Sequence, residues 1–170
     1  MIKRCVDVTL ALAGIVLLLP LFALTALLIK LESAGPVMFV HERIGRSFRP
    51  FRMYKFRTMR PGVGLDGSEI TVSGDARVTV VGRWLRRTKL DELPQLLNVL
   101  RGEMSLVGPR PEVRRYVEQF RQDYEELLKV RPGITDPASL KYRNEEAILA
   151  EATRPEEYYI QHILPDKIRV

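Results

Sequence analysis

The chain of 170 residues is long enough for one domain with a modest core, and 28% of its residues are charged. Its single cysteine, Cys5, excludes an internal disulfide, and its isolated histidines, His41 and His162, form no zinc pattern and are expected to be surface or hydrogen-bonded residues. The net charge of +6 is concentrated in two basic blocks without acids, residues 43–60 and 77–89, which favours an anionic partner: phosphate, anionic lipid or nucleic acid.

The first predicted element is an apolar helix, because residues 8–29 contain no charged side chain. At about 1.5 Å per residue, a straight helix of this length would just span a bilayer. A cleaved signal peptide is rejected, since charged residues rather than a small-residue cleavage site follow the segment. Two interpretations stay open: a spanning helix, and a re-entrant helix that bends at Pro20. The re-entrant helix keeps both basic flanks, Lys3-Arg4 and Lys30, on the cytoplasmic side.

A small β-hairpin is predicted next. Residues 37–40 and 51–57 alternate or cluster apolar and aromatic side chains as short strands do, and residues 45–50 would turn between them. Residues 61–75 contain several glycines and few apolar side chains, which predicts a flexible loop.

The rest of the chain is predicted to be mostly helical. Hydrophobic spacing and stop signals predict helices over residues 81–87, 91–100, 112–130, 144–152 and 155–164. Their broad apolar faces suit the headgroup layer of a membrane, although ordinary core packing explains most of their leucines. The predicted fold is mainly α with a small β-hairpin, in the α+β class. It divides into a membrane helix over residues 1–31 and a cytosol-facing domain over residues 32–170.

Asp91 and Glu92 form an acidic pair next to the second basic block, and two interpretations of the pair stay open. In the structural one, Asp91 caps a helix, Glu92 adds charge to its first turn and Pro94 occupies an early helical position. In the chemical one, the two carboxylates point about 100° apart on a helix and have different roles. The bases within residues 86–89 would keep a carboxylate ionised, as a nucleophile or a ligand of a divalent cation.

Two further groups of residues suit a phosphate. Arg110 is held between Pro109 and Pro111 in a rigid frame that presents its guanidinium, and the alternative is a stiff turn with a solvated arginine. Lys55 and Arg57 are predicted to share one face of the second strand. Bases interleaved with aromatic residues also occur in nucleic-acid binders, so this stretch alone does not distinguish the two kinds of partner.

Several motifs occur along the chain in an order that resembles one family. They are Lys55-Phe56-Arg57-Thr58-Met59, Asp75-Ala76-Arg77-Val78-Thr79, Asp91-Glu92-Leu93-Pro94-Gln95, Asn98-Val99-Leu100, Gly102-Glu103-Met104-Ser105 and Val107-Gly108-Pro109-Arg110-Pro111. In this order they resemble the bacterial sugar transferases, the monotopic polyprenyl-phosphate phosphoglycosyl transferases. The resemblance covers nearly the whole chain and is densest over residues 51–112.

This resemblance implies a monotopic protein on the cytosolic face of the bacterial inner membrane. Its N-terminal helix would be re-entrant and broken at Pro20, and amphipathic helices would lie at the interface. The implied reaction moves a sugar 1-phosphate from a UDP-sugar to undecaprenyl phosphate, giving undecaprenyl-diphospho-sugar and UMP. This would be the first membrane step of glycan or polysaccharide assembly. No nucleic-acid partner is implied, and a homodimer is compatible with the resemblance.

The resemblance also implies roles for individual residues. Asp91 matches the nucleophile that forms a phosphosugar-enzyme intermediate, and it would be a ligand of the Mg²⁺ that bridges the acidic pair and the diphosphate. Glu92 would assist there or at the lipid phosphate. The basic positions expected to bind substrate or phosphate are Lys55, Arg57, Arg86, Arg110 and Arg143.

The chain departs from the family's pattern at three places. Leu19 precedes Pro20 where the family often has serine, which leaves open the hydrogen bonding that supports the bend. Residues 136–139 stand where a glycine and a Trp-Gln pair often follow, so the identity of the sugar is not carried over. The chain ends where relatives usually continue, which is expected of a truncated form. The competing interpretation is a membrane-anchored protein that binds anionic lipid without catalysis.

Overall fold

The computed structural model describes residues 2–61 and 71–169, and these are mostly helical with a small antiparallel sheet. The helices are α1 (Ile2–Glu32), α2 (Val80–Thr88), α3 (Gln95–Arg101), α4 (Arg114–Gln119), α5 (Arg121–Leu127), α6 (Pro137–Lys141), α7 (Glu145–Glu151), α8 (Pro155–Tyr158) and α9 (Leu164–Arg169). The strands are β1 (Met38–Ile44), β2 (Pro50–Phe56), β3 (Ser105–Val107) and β4 (Gly133–Thr135). Short 3-10 turns occupy Arg46–Phe48 and Leu90–Glu92, and a π-helical turn, Tyr159–Ile163, joins α8 to α9. The prediction of a mainly α fold with a β-hairpin is confirmed.

The hairpin of β1 and β2 is antiparallel, with Met38 opposite Phe56 and Ile44 opposite Pro50. β1 is longer than predicted because the polar residues after Val40 continue the strand. One of them, Arg43, faces a buried acid, since its guanidinium lies 3.3 Å from the carboxylate of Glu112. A buried ion pair therefore extends a strand that the hydrophobic pattern alone would have ended early.

A second strand pair, β3 with β4, is parallel and was not predicted. Each strand has three residues, too few for the alternation of apolar and polar side chains to show. The two segments approach closely just past β3, where a Cβ atom added to Gly133 would lie 2.1 Å from the backbone nitrogen of Gly108. This contact fixes the segment that leads into Arg110. The backbone N–H of Arg110 then donates to Asp136 at 2.9 Å.

The long helix α1 continues through Pro20 and packs one face along the rest of the protein. Toward its start, Ala11 lies in a core cluster with Leu96 and Met104. Toward its end, Ile29 lies in a cluster with Phe56 and other residues of the hairpin and α2. Within the described residues, α1 is the one helix long and apolar enough to cross a membrane, and 11% of its most apolar stretch is buried. Such a helix is compatible with membrane anchoring.

Both ends of α1 are fixed to the same body by polar contacts. Near its start, Arg4 donates to two carbonyls at the end of α3, at 2.7 and 3.1 Å. Just past its other end, Arg57 donates to the carbonyls of Ser33 and Ala34, both at 2.7 Å. The carboxylate of Glu32 accepts from the first amides of α2, at 2.6 and 2.9 Å. The end of α1 and the start of α2 are thereby joined by one hydrogen-bonded junction.

Several predicted elements differ from the structure. The helix predicted over residues 91–100 begins at Gln95, and the acidic pair precedes it in a 3-10 turn, so Asp91 is not the cap of a helix. The helix predicted over residues 112–130 is divided at Phe120, which leaves helical geometry with φ −113° and ψ 36°. The side chain of Phe120 packs against two separate core clusters, which the bend allows it to reach together. Most of the loop predicted over residues 61–75 falls on residues 62–70, outside the described residues.

Candidate active site

The acidic pair is positioned by a sharp reversal of the chain after α2. Lys89 ends this helix in the left-handed conformation, with φ 60° and ψ 15°, and the 3-10 turn that carries the pair follows at once. The position of α2 depends in turn on Gly82, because a Cβ atom there would lie 2.0 Å from the carbonyl oxygen of Thr58. The close contact of α2 with the backbone of Thr58, just past the end of β2, therefore determines the position of the acids.

Glu92 is held by two cations from distant parts of the chain. Its Oε1 accepts from Lys55 Nζ at 2.8 Å and from Arg110 Nη2 at 2.7 Å. Burial of the carboxyl group disfavours its charge, but the charges of Arg110 and Lys55 outweigh burial and hold the pKa of Glu92 well below its usual range. Glu92 is therefore ionised at neutral pH and joins β2, the acidic turn and the segment after β3.

The pKa values of the two bases, Arg110 and Lys55, shift in opposite directions. The charge of Glu92 raises the pKa of Arg110 above its ordinary value, against the effect of burial. Burial lowers the pKa of Lys55, with Arg110 acting in the same sense and Glu92 opposing it. The two bases thus share the single carboxylate of Glu92.

Asp91 is equally buried, with 7% of its surface exposed, but its environment is different. Its Oδ1 has no hydrogen-bond partner in the described part of the chain. Burial raises the pKa of Asp91, and the nearby Lys55, Arg86 and Lys89 do not fully offset that effect. The expected ionised state of Asp91 stays a prediction, since burial and the neighbouring bases shift its pKa in opposite directions. A carboxylate with an unpaired oxygen and with cations nearby is suited to nucleophilic attack on an anionic group or to binding a metal ion.

The other predicted basic residues are distributed over three places. Arg86 extends from α2 to Glu146 on α7, at 2.6 Å, and its charge acts on Asp91. Arg57 lies past the end of β2 and binds the end of α1, so it does not share a site with Lys55. Arg143 is exposed on the segment that precedes α7. The structure therefore brings Lys55, Arg86 and Arg110 to the acidic pair and places Arg57 at a helix end.

Sequence reasoning missed two acids that orient the site arginines. Glu146 binds the guanidinium of Arg86, and Asp136 accepts from the backbone of Arg110 while capping α6 through the amide of Ser139 at 2.6 Å. The Asp-Pro pair at residues 136 and 137 is a helix-start signal that could have located Asp136. No local pattern marks Glu146, because its partner is distant in the chain.

A metal ion at this site would depend on few protein ligands. Within residues 2–61 and 71–169, no three His, Cys, Asp or Glu side chains are grouped to hold one. The unpaired oxygen of Asp91 fits Mg²⁺ nonetheless, since this ion is commonly bound by one or two carboxylates together with waters and substrate phosphates.

Comparison with known proteins shows the family of this chain. The family profile described as bacterial sugar transferase matches residues 1–165. The chain belongs to the bacterial sugar transferase family. All the predicted site residues of this bacterial sugar transferase, from Lys55 to Arg143, lie inside the matched range.

Three relatives show how the family varies in length and name. The UDP-N-acetylgalactosamine-undecaprenyl-phosphate N-acetylgalactosaminephosphotransferase of Aeromonas hydrophila is 50% identical over 79% of this chain, which spans 32% of that protein. The UDP-glucose:undecaprenyl-phosphate glucose-1-phosphate transferase of Escherichia coli is 40% identical over 96% of this chain, which spans 36% of that protein. An exopolysaccharide production protein of Rhizobium leguminosarum is 41% identical over 82% of this chain, which spans 74% of that protein. The sugar transferase described here thus corresponds to about a third of the first two relatives.

Proposed function

We propose that this chain moves a sugar 1-phosphate from a UDP-sugar to undecaprenyl phosphate and releases UMP. The observation that carries the proposal is the contrast within the acidic pair. Glu92 is neutralised by Lys55 and Arg110, whereas the neighbouring Asp91 is buried with an oxygen left without a hydrogen bond. The names of the Aeromonas and Escherichia coli relatives support the same class of reaction.

The proposed chemistry has two displacements at one phosphorus atom. In the first, a carboxylate oxygen of Asp91 bonds to the β-phosphorus of the donor, the bond from this phosphorus to the bridging oxygen breaks, and UMP leaves with the electron pair. In the second, an oxygen of undecaprenyl phosphate bonds to the same phosphorus and releases the carboxylate of Asp91. The covalent intermediate lets one small site serve a soluble donor and then a lipid acceptor.

The cations of the site are proposed to hold the phosphates. A diphosphate concentrates negative charge, and fixed cations in a site shielded from water stabilise its transition state strongly. Lys55 and Arg110 already lie side by side on Glu92, so a bound diphosphate can share them without moving the backbone. Arg86, oriented by Glu146, is placed to act on the charge around Asp91.

Mg²⁺ is the proposed cofactor, with Asp91 as its protein ligand. When bound, this ion would neutralise the charge that develops on the diphosphate oxygens. The chain's own contribution is to hold Asp91 in a rigid turn, and a nearby cation would also favour its ionised form.

We further propose that α1 is a re-entrant helix in the cytosolic leaflet of the bacterial inner membrane, with residues 32–170 at the headgroup layer. The contacts at both of its ends support this arrangement, because Arg4 and Arg57 fix the start and the end of the helix to one body. A helix that crossed the bilayer would place its ends on opposite sides. Pro20, which lacks a backbone donor, is the proposed position of the bend.

The proposal is tested by UMP release from the detergent-solubilised protein with undecaprenyl phosphate, Mg²⁺ and a panel of UDP-sugars. The panel includes UDP-glucose and UDP-N-acetylgalactosamine, because the relatives are named for both sugars. We expect release with at least one donor and none with the Asp91→Asn variant. Absence of release with every donor, together with binding to anionic vesicles, would favour the non-catalytic lipid-binding alternative.

A further inference from the structure

Two neighbouring rings, those of exposed Phe39 and half-buried His41, lie on the hairpin beside the candidate active site. Phe39 is 50% exposed, whereas Val40 and His41, which follow it in β1, are half-buried. The ring of His41 lies two residues further on, with 5.7 Å between the two ring centroids and an interplanar angle of 56°. Because alternate residues of a strand point to the same face, the two rings form one small platform on β1.

This platform is continuous with the cation cluster of the site. Phe39 is directly opposite Lys55 in the hairpin register, and side chains opposed in this way have Cβ atoms on the order of 5 Å apart. The Nζ atom of Lys55 in turn donates to Glu92. One lysine therefore joins the aromatic platform to the proposed phosphate site.

The second ring of the platform is a neutral imidazole. Burial, together with the charges of Arg43 and Lys55, lowers the pKa of His41 to about 4. A neutral imidazole has one nitrogen that donates and one that accepts a hydrogen bond. The platform thus combines the apolar face of Phe39 with the polar edge of His41. This edge suits a ligand that can both donate and accept hydrogen bonds.

We propose that Phe39 and His41 form the subsite for the pyrimidine base of the nucleotide donor, with Phe39 stacking on the base and His41 bonding its polar edge. This inference rests on the proposed function, because it assigns the part of the site that recognises UDP. A ribose separates the base of a nucleotide from its diphosphate, so the base belongs beside the cation cluster and not within it. The arrangement of Phe39, Lys55 and Glu92 meets that requirement.

The exposed ring could alternatively contact the isoprenoid chain of the lipid acceptor. The polar and charged neighbours of Phe39 favour the base: His41 follows it on the same face and Lys55 lies opposite. A polyprenyl chain offers no hydrogen bond to an imidazole, whereas a pyrimidine base offers both a donor and acceptors. The lipid is therefore kept as an outcome of the test.

The test compares the binding of UMP with that of inorganic pyrophosphate by titration calorimetry on the 170-residue chain in detergent. In Phe39→Ala we expect UMP to bind roughly tenfold or more weakly, since stacking on an aromatic side chain contributes substantially to the binding of a base. Pyrophosphate, which has no base, should bind as in the wild type. Phe39→Trp restores the aromatic face and should restore UMP binding.

The matched control is Tyr158→Ala. Tyr158 and His162 also form an aromatic–histidine contact, with ring centroids 4.6 Å apart, on α8 and the turn that follows it. This control should leave the binding of both probes unchanged.

Two results in Phe39→Ala would overturn the inference while leaving the proposed reaction intact. These are an unchanged UMP affinity and an equal loss of affinity for UMP and pyrophosphate. An unchanged UMP affinity together with a raised KM for undecaprenyl phosphate would assign the platform to the lipid. A wild-type protein that binds no UMP and releases none from any donor would instead overturn the proposed function itself.

Discussion

The two carboxylates of the acidic turn are adjacent in sequence and equally buried, yet their surroundings differ. Glu92 has Lys55 and Arg110 on one oxygen, and its pKa is lowered. Asp91 has an oxygen without a hydrogen bond, and its pKa is raised. The comparison teaches that burial by itself does not determine the role of an acid. Direct ion pairs make Glu92 part of the framework, and their absence at Oδ1 leaves Asp91 available for chemistry.

The largest expected effect is the loss of activity in Asp91→Asn. The amide keeps the shape of the side chain but is a poor nucleophile, so UMP release should fall by at least about a thousandfold. The melting temperature should not fall, because a buried carboxyl group with a raised pKa is replaced by a neutral group. UMP release and thermal unfolding of the same preparation provide the two measurements. Normal turnover by Asp91→Asn would contradict the assigned role of this residue.

Glu92→Gln should affect stability as well as activity. Removing the negative charge leaves Lys55 and Arg110 close together without a counter-ion, which we expect to cost about 2–3 kcal/mol of unfolding free energy, since both bases are partly exposed. Activity should also fall because the phosphate-binding cations lose their orientation. Chemical denaturation measures the first effect and UMP release the second.

The matched control for this variant is Glu157→Gln. Glu157 pairs with Arg154 at 3.0 Å on the surface, where ion pairs contribute roughly 0–1 kcal/mol. If the two variants lost equal stability, the distinction between a framework acid and an ordinary surface acid would be lost.

The third prediction concerns a substitution that should displace both acids together. Gly82→Ala puts a methyl group 2.0 Å from the carbonyl oxygen of Thr58, which should displace α2 and with it the acidic turn. We expect a cost of roughly 1–3 kcal/mol and a clear loss of activity. Gly14→Ala is the control, because its nearest contact, a methyl group of Leu96 at 3.4 Å, is an ordinary van der Waals distance. Full activity in Gly82→Ala would show that α2 does not set the position of the pair.

These contrasts also show what could be predicted from sequence. The β-hairpin and the acidic pair were predictable because turn residues, aromatic runs and a charge pattern are local signals. The contact of Gly108 with Gly133 was not, since it joins segments far apart in the chain. Arg57 was assigned to the face of Lys55 by strand parity, but the strand ends at Phe56 and parity no longer applies beyond it. The direction in which the pKa of Asp91 shifts depends on its burial, and the neighbouring residues in the sequence do not reveal that burial.

Arg57→Lys tests the assignment of Arg57 to the end of α1 and not to the substrate site. Arg57 is buried and donates to the carbonyls of Ser33 and Ala34, and a lysine cannot form the same fork of hydrogen bonds. We expect a loss of about 1–2 kcal/mol of stability with an unchanged KM for the donor. A raised KM at unchanged stability would return Arg57 to the substrate site. Arg114→Lys, at an exposed position outside the site, is the control for a conservative change of a base.

The smallest expected effects are two pH dependences of stability with opposite signs. They test the comparison of Glu92 with Asp91 most directly. The folded-state pKa of Glu92 is depressed, so its stabilising contribution is present above its unfolded pKa of about 4.3 and is lost as the pH falls toward the folded value. The folded-state pKa of Asp91 is raised, so its contribution is present below its unfolded pKa of about 3.9 and is lost as the pH rises through the folded value. At neutral pH, Glu92→Gln should therefore melt below the wild type, and Asp91→Asn at or above it. The difference for Asp91→Asn should shrink as the pH falls from neutral to about 4, because the wild-type carboxyl becomes protonated and then resembles the amide. The difference for Glu92→Gln should shrink only below about pH 4, because the folded protein keeps Glu92 ionised down to its depressed pKa. Melting curves of the three proteins across this range measure both slopes, and slopes of the same sign would show that the two acids do not have opposite surroundings.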